Sequence, residues 1–284
     1  MILLAGALLA ASGAEPDPTE IMRRVLDRED GTSQVALIRV STCKYAKAGK
    51  TLSCTETPRE KLLQQVAKDV GPRGKDTRGL SIILEPMAEA GIGFLQHDYE
   101  DEAKESDQWI YLSALGKVKR IASGSRDQPK TGSFFGTEIT FEDMQARKLH
   151  QYNYTLLQEE TYKGRPCWVL EIIPTEEQRK RTSYGKSWAW IDKERDLVLK
   201  RMLFDRRGRK VKRMAFRDVR QDAGIWLVGR IEVNNLIDQR ISTVTNERIA
   251  LNVAVDDAFL SQRSLTDRAF RERHLATFRS VIGP

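Results

Sequence analysis

The chain has 284 residues, 47 Lys and Arg against 40 Asp and Glu, a net charge of +7, and 40% hydrophobic residues. That composition supports a packed core and excludes a chain too polar to bury one. The length suits one large β domain or two small ones. No Pro/Gly/Ser-rich linker and no internal repeat divides the chain, so one domain is expected. The positive balance implies an anionic partner, which charge alone does not identify among lipid headgroups, nucleic acid and an acidic protein surface.

Met1–Ala14 is an apolar run ending in Ser12-Gly13-Ala14. A small-x-small site after an apolar segment reads as a Sec signal peptide, although no basic n-region precedes it. It is too short for the roughly 20 residues that span a bilayer as a helix. No Cys stands at the cleavage point, and no later stretch is apolar enough to cross a membrane. The expectation is an exported, soluble protein without its own lipid anchor. Glu20–Asp30 follows with Ile21 and Val25 at helical spacing, acidic residues first and arginines after, as a helix dipole favours.

Ser33–Thr42 alternates as a strand and is expected to pair back through Lys50–Thr57. A turn centred on Ala48-Gly49 sets Cys43 and Cys54 opposite each other and predicts a disulfide, which constrains the unfolded chain by about 3 kcal/mol. Cys167 is the odd cysteine and reads as a small buried hydrophobe. Pro58–Val70, with Leu62, Leu63 and Val66, reads as a helix stopped by Gly71-Pro72-Arg73-Gly74.

Strand signals then come densely: Leu80–Glu85, Ile92–Tyr99, Trp109–Leu112, Val118–Ile121, Tyr152–Thr161, Cys167–Ile173, Ser187–Asp192, Leu197–Phe204, Val211–Val219, Ile225–Asn235 and Ile241–Val255. Turns such as Lys163-Gly164 and Arg207-Gly208 part neighbours by a few residues, the mark of an antiparallel sheet. Ile225, Leu227, Ile231 and Val233 share one face, as do Ile249, Leu251, Val253 and Val255, which predicts one greasy and one wet side. Thr140 and Asp143 form the outline of a capping box at a helix start. Ser264–Ile282 reads as an amphipathic helix.

Catalytic patterns are missing. His97, His150 and His274 lack metal-ligand spacing, and no nucleophile elbow or phosphate-cradling loop occurs. Neighbouring acidic pairs such as Glu142-Asp143 read as capping and solvated surface. Neither an enzyme nor a metal or other cofactor is expected. The run from Lys193 to Arg220 is strongly basic and gathers at a hairpin tip, where Arg206, Arg207, Arg209 and Lys210 are candidates for contact with headgroups or an acidic partner. Nucleic acid is disfavoured, because export is expected and no recognition motif appears.

The stretch that orders all this runs from Asp107 to Asp143. Trp109-Ile-Tyr-Leu-Ser-Ala-Leu-Gly116, Arg120-Ile121, Ser133-Phe-Phe-Gly136 and Phe141-Glu-Asp143 succeed one another along it. This series resembles the outer-membrane lipoprotein-sorting (LolA-like) family, in the branch that accompanies membrane exporters. Two positions depart: Ser113 stands where the family usually has Pro, and Phe141 where it usually has Tyr. The resemblance implies a mainly β fold with a few helices. In it a strongly curved antiparallel sheet forms a half-open barrel under a helical lid, as in LolA and LolB. Residues 15–262 would form that domain and 263–284 a C-terminal helical extension. It further implies a periplasmic carrier that receives a lipoprotein or other lipid-like molecule from an inner-membrane RND/MMPL-type exporter, with transient membrane-surface contact. On this reading Trp109, Tyr111, Phe134, Trp188, Trp190, Ile225, Leu227, Ile231, Val233, Leu251 and Val253 are the candidate cavity residues. The helices near Glu20–Asp30 and Thr140–Met144 would gate the mouth. The alternative is an adaptor subunit of an exporter, its barrel filled by its own side chains and docking through the basic hairpin.

Overall fold

The computed structural model describes residues 16–49, 51–121 and 128–283. The expected leader, Met1–Ala14, lies outside them. Fourteen strands form one antiparallel sheet. Before the crossover come β1 (Ser33–Ala48), β2 (Thr51–Cys54), β3 (Arg59–Val70), β4 (Asp76–Glu85), β5 (Gly93–Asp98), β6 (Asp107–Leu112) and β7 (Lys117–Arg120). After it come β8 (Tyr152–Tyr162), β9 (Arg165–Pro174), β10 (Tyr184–Asp192), β11 (Leu197–Asp205), β12 (Lys210–Asp222), β13 (Ile225–Asn235) and β14 (Arg240–Leu251). The order across the sheet is β7-β6-β5-β4-β3-β1-β14-β13-β12-β11-β10-β9-β8, with β2 paired to the end of β1. Among the described residues five α-helices accompany it: α1 (Pro18–Asp27), α2 (Phe141–Met144), α3 (Glu176–Arg181), α4 (Gln262–Thr266) and α5 (Arg268–Ile282).

The two ends of the sheet curl towards each other. Arg181, after β9, pairs with Glu105 before β6 at 3.2 Å, and His150, before β8, lies 3.2 Å from Glu102. The sheet is therefore strongly curved, with an inside and an outside. Because β7 and β8 are consecutive in sequence yet lie at opposite edges, the chain between them must cross from one side of the curve to the other. It crosses the inside.

Alternation assigns the residues. Ala36, Ile38, Val40, Leu63, Ile83, Phe94, Leu203, Met214 and Val233 point inward and pack with Phe134, Phe135, Ile139 and Phe141 of the crossover. Leu170, Ile172, Ala189 and Ile191 also point inward, under Ile21 and Met22 of α1. Outside, Val35, Val66, Leu80, Ile82 and Leu95 are covered by Phe259, Leu265, Phe270, Leu275 and Phe278 from the C-terminal helices. Gly93 permits that approach, since a Cβ there would meet Leu265 at 2.7 Å and Ile82 at 2.8 Å.

Four expectations are corrected. Pro58–Val70 contributes strand β3 rather than a helix, with Ile38 opposite Leu63 and Val35 opposite Val66. Leu63 and Val66, three apart, mimic helical spacing because each is buried on a different face under a different layer. Where the C-terminal helices and the Trp188–Trp190 cluster cover its outside, the sheet is apolar on both faces. Around β13 the outer face carries Arg217, Arg230 and Glu232 in ion pairs, and there the expected greasy and wet sides hold. Third, Val253 and Val255 do not continue the face of Ile249. Strand β14 ends at Leu251, Asn252 takes φ 55°, and its Oδ1 accepts from the Thr32 amide at 2.9 Å. The chain then turns to the outer side, where Val253 and Val255 join the C-terminal helices. The C-terminal segment itself is two helices, because Asp267 ends α4 and caps α5 through the Phe270 amide at 2.9 Å.

Cys43 and Cys54 are joined, with Cα atoms 5.8 Å apart. The register places Tyr45, not Cys43, opposite Cys54, so the bridge runs diagonally across the β1–β2 pair. Cys167 is free and fully buried.

Candidate functional site

The inner face is lined by apolar residues of both halves of the sheet, and two segments lie over it. The first is α1. Asp17 caps it by accepting from the Thr19 amide at 2.9 Å, Pro18 occupies its first turn, and Ile21 and Met22 enter the inner face. Val25 packs beside them, and the polar anchors are surface ion pairs: Arg24 with Asp196 of the β10–β11 turn at 3.2 Å, and Asp27 with Lys75 of the β3–β4 turn at 3.4 Å. Arg28 Nη1 adds a bond to the Trp226 carbonyl at 3.2 Å. The helix thus straps the opening from one wall to the other. Exposed pairs of this kind each contribute little, about 0–1 kcal/mol.

The crossover is held far more firmly. Phe134 meets Phe94 edge-on with centroids 5.2 Å apart, and Phe141 stacks on Phe94 at 5.6 Å. Thr140 caps α2 reciprocally with Asp143, as the capping-box reading expects. The same Asp143 also receives the Lys212 ammonium at 2.5 Å and the Tyr184 hydroxyl at 2.9 Å, and Lys212 reaches the Tyr184 oxygen at 2.7 Å. The side chains of Lys212 and Asp143 are only 8% and 4% exposed, so this pair is removed from water. Glu142 lies half-buried beside it and accepts from the Thr182 hydroxyl at 2.5 Å and the Ser183 amide at 3.0 Å. Burial pushes the Glu142 carboxyl up from the usual range, against the lowering effect of those donors and with Asp143 adding to the rise. Burial also drives the Tyr184 phenol up, with Asp143 and Glu142 reinforcing it, so it stays protonated and donating.

On the other wall, Gln108 donates to the Phe141 carbonyl at 3.0 Å and Gln96 to the Met144 carbonyl at 2.7 Å. Glu138 pairs with Arg240 at 2.7 Å. The acidic pair read from sequence as capping and solvated surface is a buried latch. Adjacency alone could not find it, because its partners Lys212, Tyr184 and Thr182 lie some forty or more residues downstream.

The expected cavity residues divide among four places. Ile225, Leu227, Ile231, Val233 and Leu251 lie on the inner side; Ile225 and Leu227 are buried, and Ile231 packs under the crossover. Phe134 is inward but belongs to the crossover, where it fills the face rather than lining it. Trp109 and Tyr111 face outward beneath the C-terminal helices, with Val253 nearby. Trp188 and Trp190 face outward on the other half of the sheet with Leu197, Leu199 and Met202. Lys200 sits 3.3 Å from the Trp190 ring centroid and Arg195 4.3 Å from that of Trp226, so cations roof this outer cluster.

The basic tip also divides. Arg206 is committed to the end of α3, donating to the carbonyls of Thr182 at 2.8 Å and Arg179 at 2.9 Å. Arg209 pairs with Asp205 at 2.7 Å. Arg207 and Lys210 are exposed.

Among the described residues, no group of His, Cys, Asp and Glu could hold a metal ion, and no helix is long and apolar enough to cross a membrane. His97 Nε2 donates to the Leu260 carbonyl at 2.9 Å, and His274 is packed between Phe259 and Phe270.

A curved, unclosed antiparallel sheet, covered on its inner face by an N-terminal helix and a crossover, defines a LolA-like protein. The chain belongs to the family whose model, described as "uncharacterized protein", matches residues 75–267. It is similar to a DUF1329 family protein from Desulfovibrio piger, with 24% identity, 88% of this chain and 100% of that one covered, and a TM-score of 0.77. A domain provisionally described as an outer membrane lipoprotein-sorting protein, from Vibrio parahaemolyticus, is 25% identical over 88% of this chain and 98% of its own, with a TM-score of 0.75. A LolA superfamily protein from Nitrosomonas europaea shares the fold at 16% identity, covering 87% and 98%, with a TM-score of 0.63. No curated protein matches the chain.

Proposed function

We propose that the protein is a periplasmic carrier that binds a lipoprotein or another lipid-like molecule against the inner face of its half-barrel. On this reading it takes its cargo from an inner-membrane exporter of the RND/MMPL type. The observation that carries the reading is the construction of that face: an apolar wall, including Ile225, Leu227 and Ile231, over which lie two segments outside the sheet ladder. The similarity to a lipoprotein-sorting domain supports the same class of cargo. An acyl chain gains about 0.8 kcal/mol per buried methylene, enough to displace a cover whose own anchors are weaker. Of the two covers, α1 is the one whose ion pairs are all exposed and which lacks a buried latch, so it opens first.

The test is an apolar fluorescent probe titrated into the protein, with native mass spectrometry of material prepared without detergent. Saturable uptake is expected. Ile231→Lys should abolish it while far-UV circular dichroism is unchanged; a folded Ile231→Lys variant that still takes up probe at wild-type affinity sinks the assignment. One observation favours a second reading. Phe134, Phe135, Ile139 and Phe141 already fill much of the inner face, as they would in an adaptor that holds no cargo and docks through Arg207 and Lys210. Protein that stays free of probe and of lipid would favour that reading.

A further inference from the structure

Where the crossover reaches the far wall, a cavity of about 70 Å³ opens to solvent between the two ends of the sheet. Its lining is unlike the rest of the inner side. Lys104, Lys130, Arg147, Lys148, Arg181 and Lys186 contribute cations, the last paired with Glu171 at 2.7 Å, against the carboxylates of Glu105, Glu142 and Asp143. Those three carboxylates are already engaged: Glu105 by Arg181 at 3.2 Å, Glu142 by Thr182 and Ser183, and Asp143 by Lys212 and Tyr184.

Three of the cations make no ion pair with any carboxylate among the described residues. Lys130 is 8% exposed and donates to the Ser106 carbonyl at 3.0 Å. Lys148 donates to the Lys104 carbonyl at 2.6 Å and to that of Asp101. Arg147 lies over the Tyr152 ring at 5.1 Å. Burial lowers the Lys130 and Lys148 ammonium groups from their usual range, with nearby carboxylates opposing the shift. A buried ammonium whose partners are carbonyls is under-compensated, and an anion beside it repairs that.

The floor of the same cavity includes Ile172 and Leu203. Ile172 belongs to the apolar cluster under α1 and Leu203 to the one under the crossover, so the cavity stands over the seam between the two covers. We infer that this cavity is an anion site for the phosphate or other acidic headgroup of a single-chain or lipid-like amphiphile, held by Lys130, Arg147 and Lys148 with its chain entering the seam at Ile172 and Leu203. The inference rests on the carrier reading for the chain and adds the polar end of the ligand. Ammonium and guanidinium bonds to a phosphate are charge-assisted and about twice as strong as neutral ones.

The experiment compares three probes by calorimetry: palmitoyl lysophosphatidylglycerol, the uncharged monopalmitoylglycerol, and inorganic phosphate, all below micelle-forming concentrations. The anionic amphiphile should bind at least about tenfold more tightly than the neutral one. Lys130→Met and, separately, Lys148→Gln should reduce its affinity to that of the neutral one. Wild-type protein that binds both amphiphiles equally overturns the anion site while leaving the carrier reading intact. Phosphate binding that is lost in Lys130→Met, without uptake of either amphiphile, upholds the anion site, assigns it to a soluble phosphate and removes the carrier reading. Binding of none of the three overturns both. Should Lys130→Met fail to fold, Lys148→Gln, at the more exposed edge of the cavity, decides the matter alone.

Discussion

At Asp143, one carboxylate serves three partners, and the cost of losing it is unequal among them. The capping bond to Thr140 is an ordinary N-terminal cap, whose loss costs about 1 kcal/mol. The pair with Lys212 is buried, and removing one partner of such a pair costs about 3–5 kcal/mol because an uncompensated charge stays behind. Asp143→Asn should therefore destabilise the protein by about 3 kcal/mol or more in urea unfolding. The double variant with Lys212→Met should recover part of that loss; a double variant no better than the single one would mean that the pair is not coupled. Asp69 poses the opposite case. Burial, with Asp30 and Glu29 nearby, raises its carboxyl to about 6. An unfolded Asp titrates near 3.9, so between roughly pH 4 and 6 the native state holds the extra proton, and stability falls as pH rises through that window. Asp69→Asn should flatten this part of the stability–pH profile and raise the unfolding midpoint at pH 7 relative to wild type. A profile unchanged by the substitution would refute the shift. Neither effect was legible in the sequence, where Glu142-Asp143 is one acidic pair among several and Asp69 stands in a stretch read as helix.

Elements show where periodicity is informative. Hairpin strands that meet a polar neighbour on one side, such as β13, alternate cleanly and were found within a few residues of their observed ends. The strand β3 was misread because both of its faces are covered, the inner by the crossover and the outer by α5, whose Arg279 reaches the buried Gln64 at 3.3 Å. Two covered faces erase alternation. A second consequence of layering concerns the cysteines. Strand β2 pairs only with the end of β1, off the continuous path of the sheet, so the bridge between Cys43 and Cys54 secures a spur. It closes a short loop, which by chain entropy is worth about 3 kcal/mol. Replacing both cysteines by serine should lower the unfolding free energy by no more than that amount, with the denaturant slope and probe uptake unaffected. A loss of probe uptake would show that the spur orders the inner face as well.

For the molecule as a whole, topology decides which parts can move. Thirteen strands are joined edge to edge in one continuous ladder, and the bonds of that ladder break only together. The two covers lie outside it. Local opening free energies in a protein range from near zero to the global value, and segments with few buried contacts and exposed anchors sit at the low end. Helix α1 buries Ile21 and Met22, packs Val25 beside them and adds only surface pairs, whereas the crossover has four aromatic or aliphatic anchors and the Asp143–Lys212–Tyr184 latch. Amide hydrogen exchange should accordingly show three tiers: α1 fastest, the 130–144 segment intermediate, and β1, β3 and β14 slowest. Asp143→Asn should move the middle tier towards the first and leave β1 and β14 relatively protected. Had the protein evolved only to fill its own barrel, nothing would require the covers to open below the global unfolding free energy, and all three tiers would exchange together. The resemblance in the Trp109–Asp143 stretch implied a lid; strand order requires a crossover, and the packing of Phe134, Phe135, Ile139 and Phe141 puts it on the inside. Exchange in three tiers would establish that the lid opens while the half-barrel remains folded, which is the physical condition a carrier must meet.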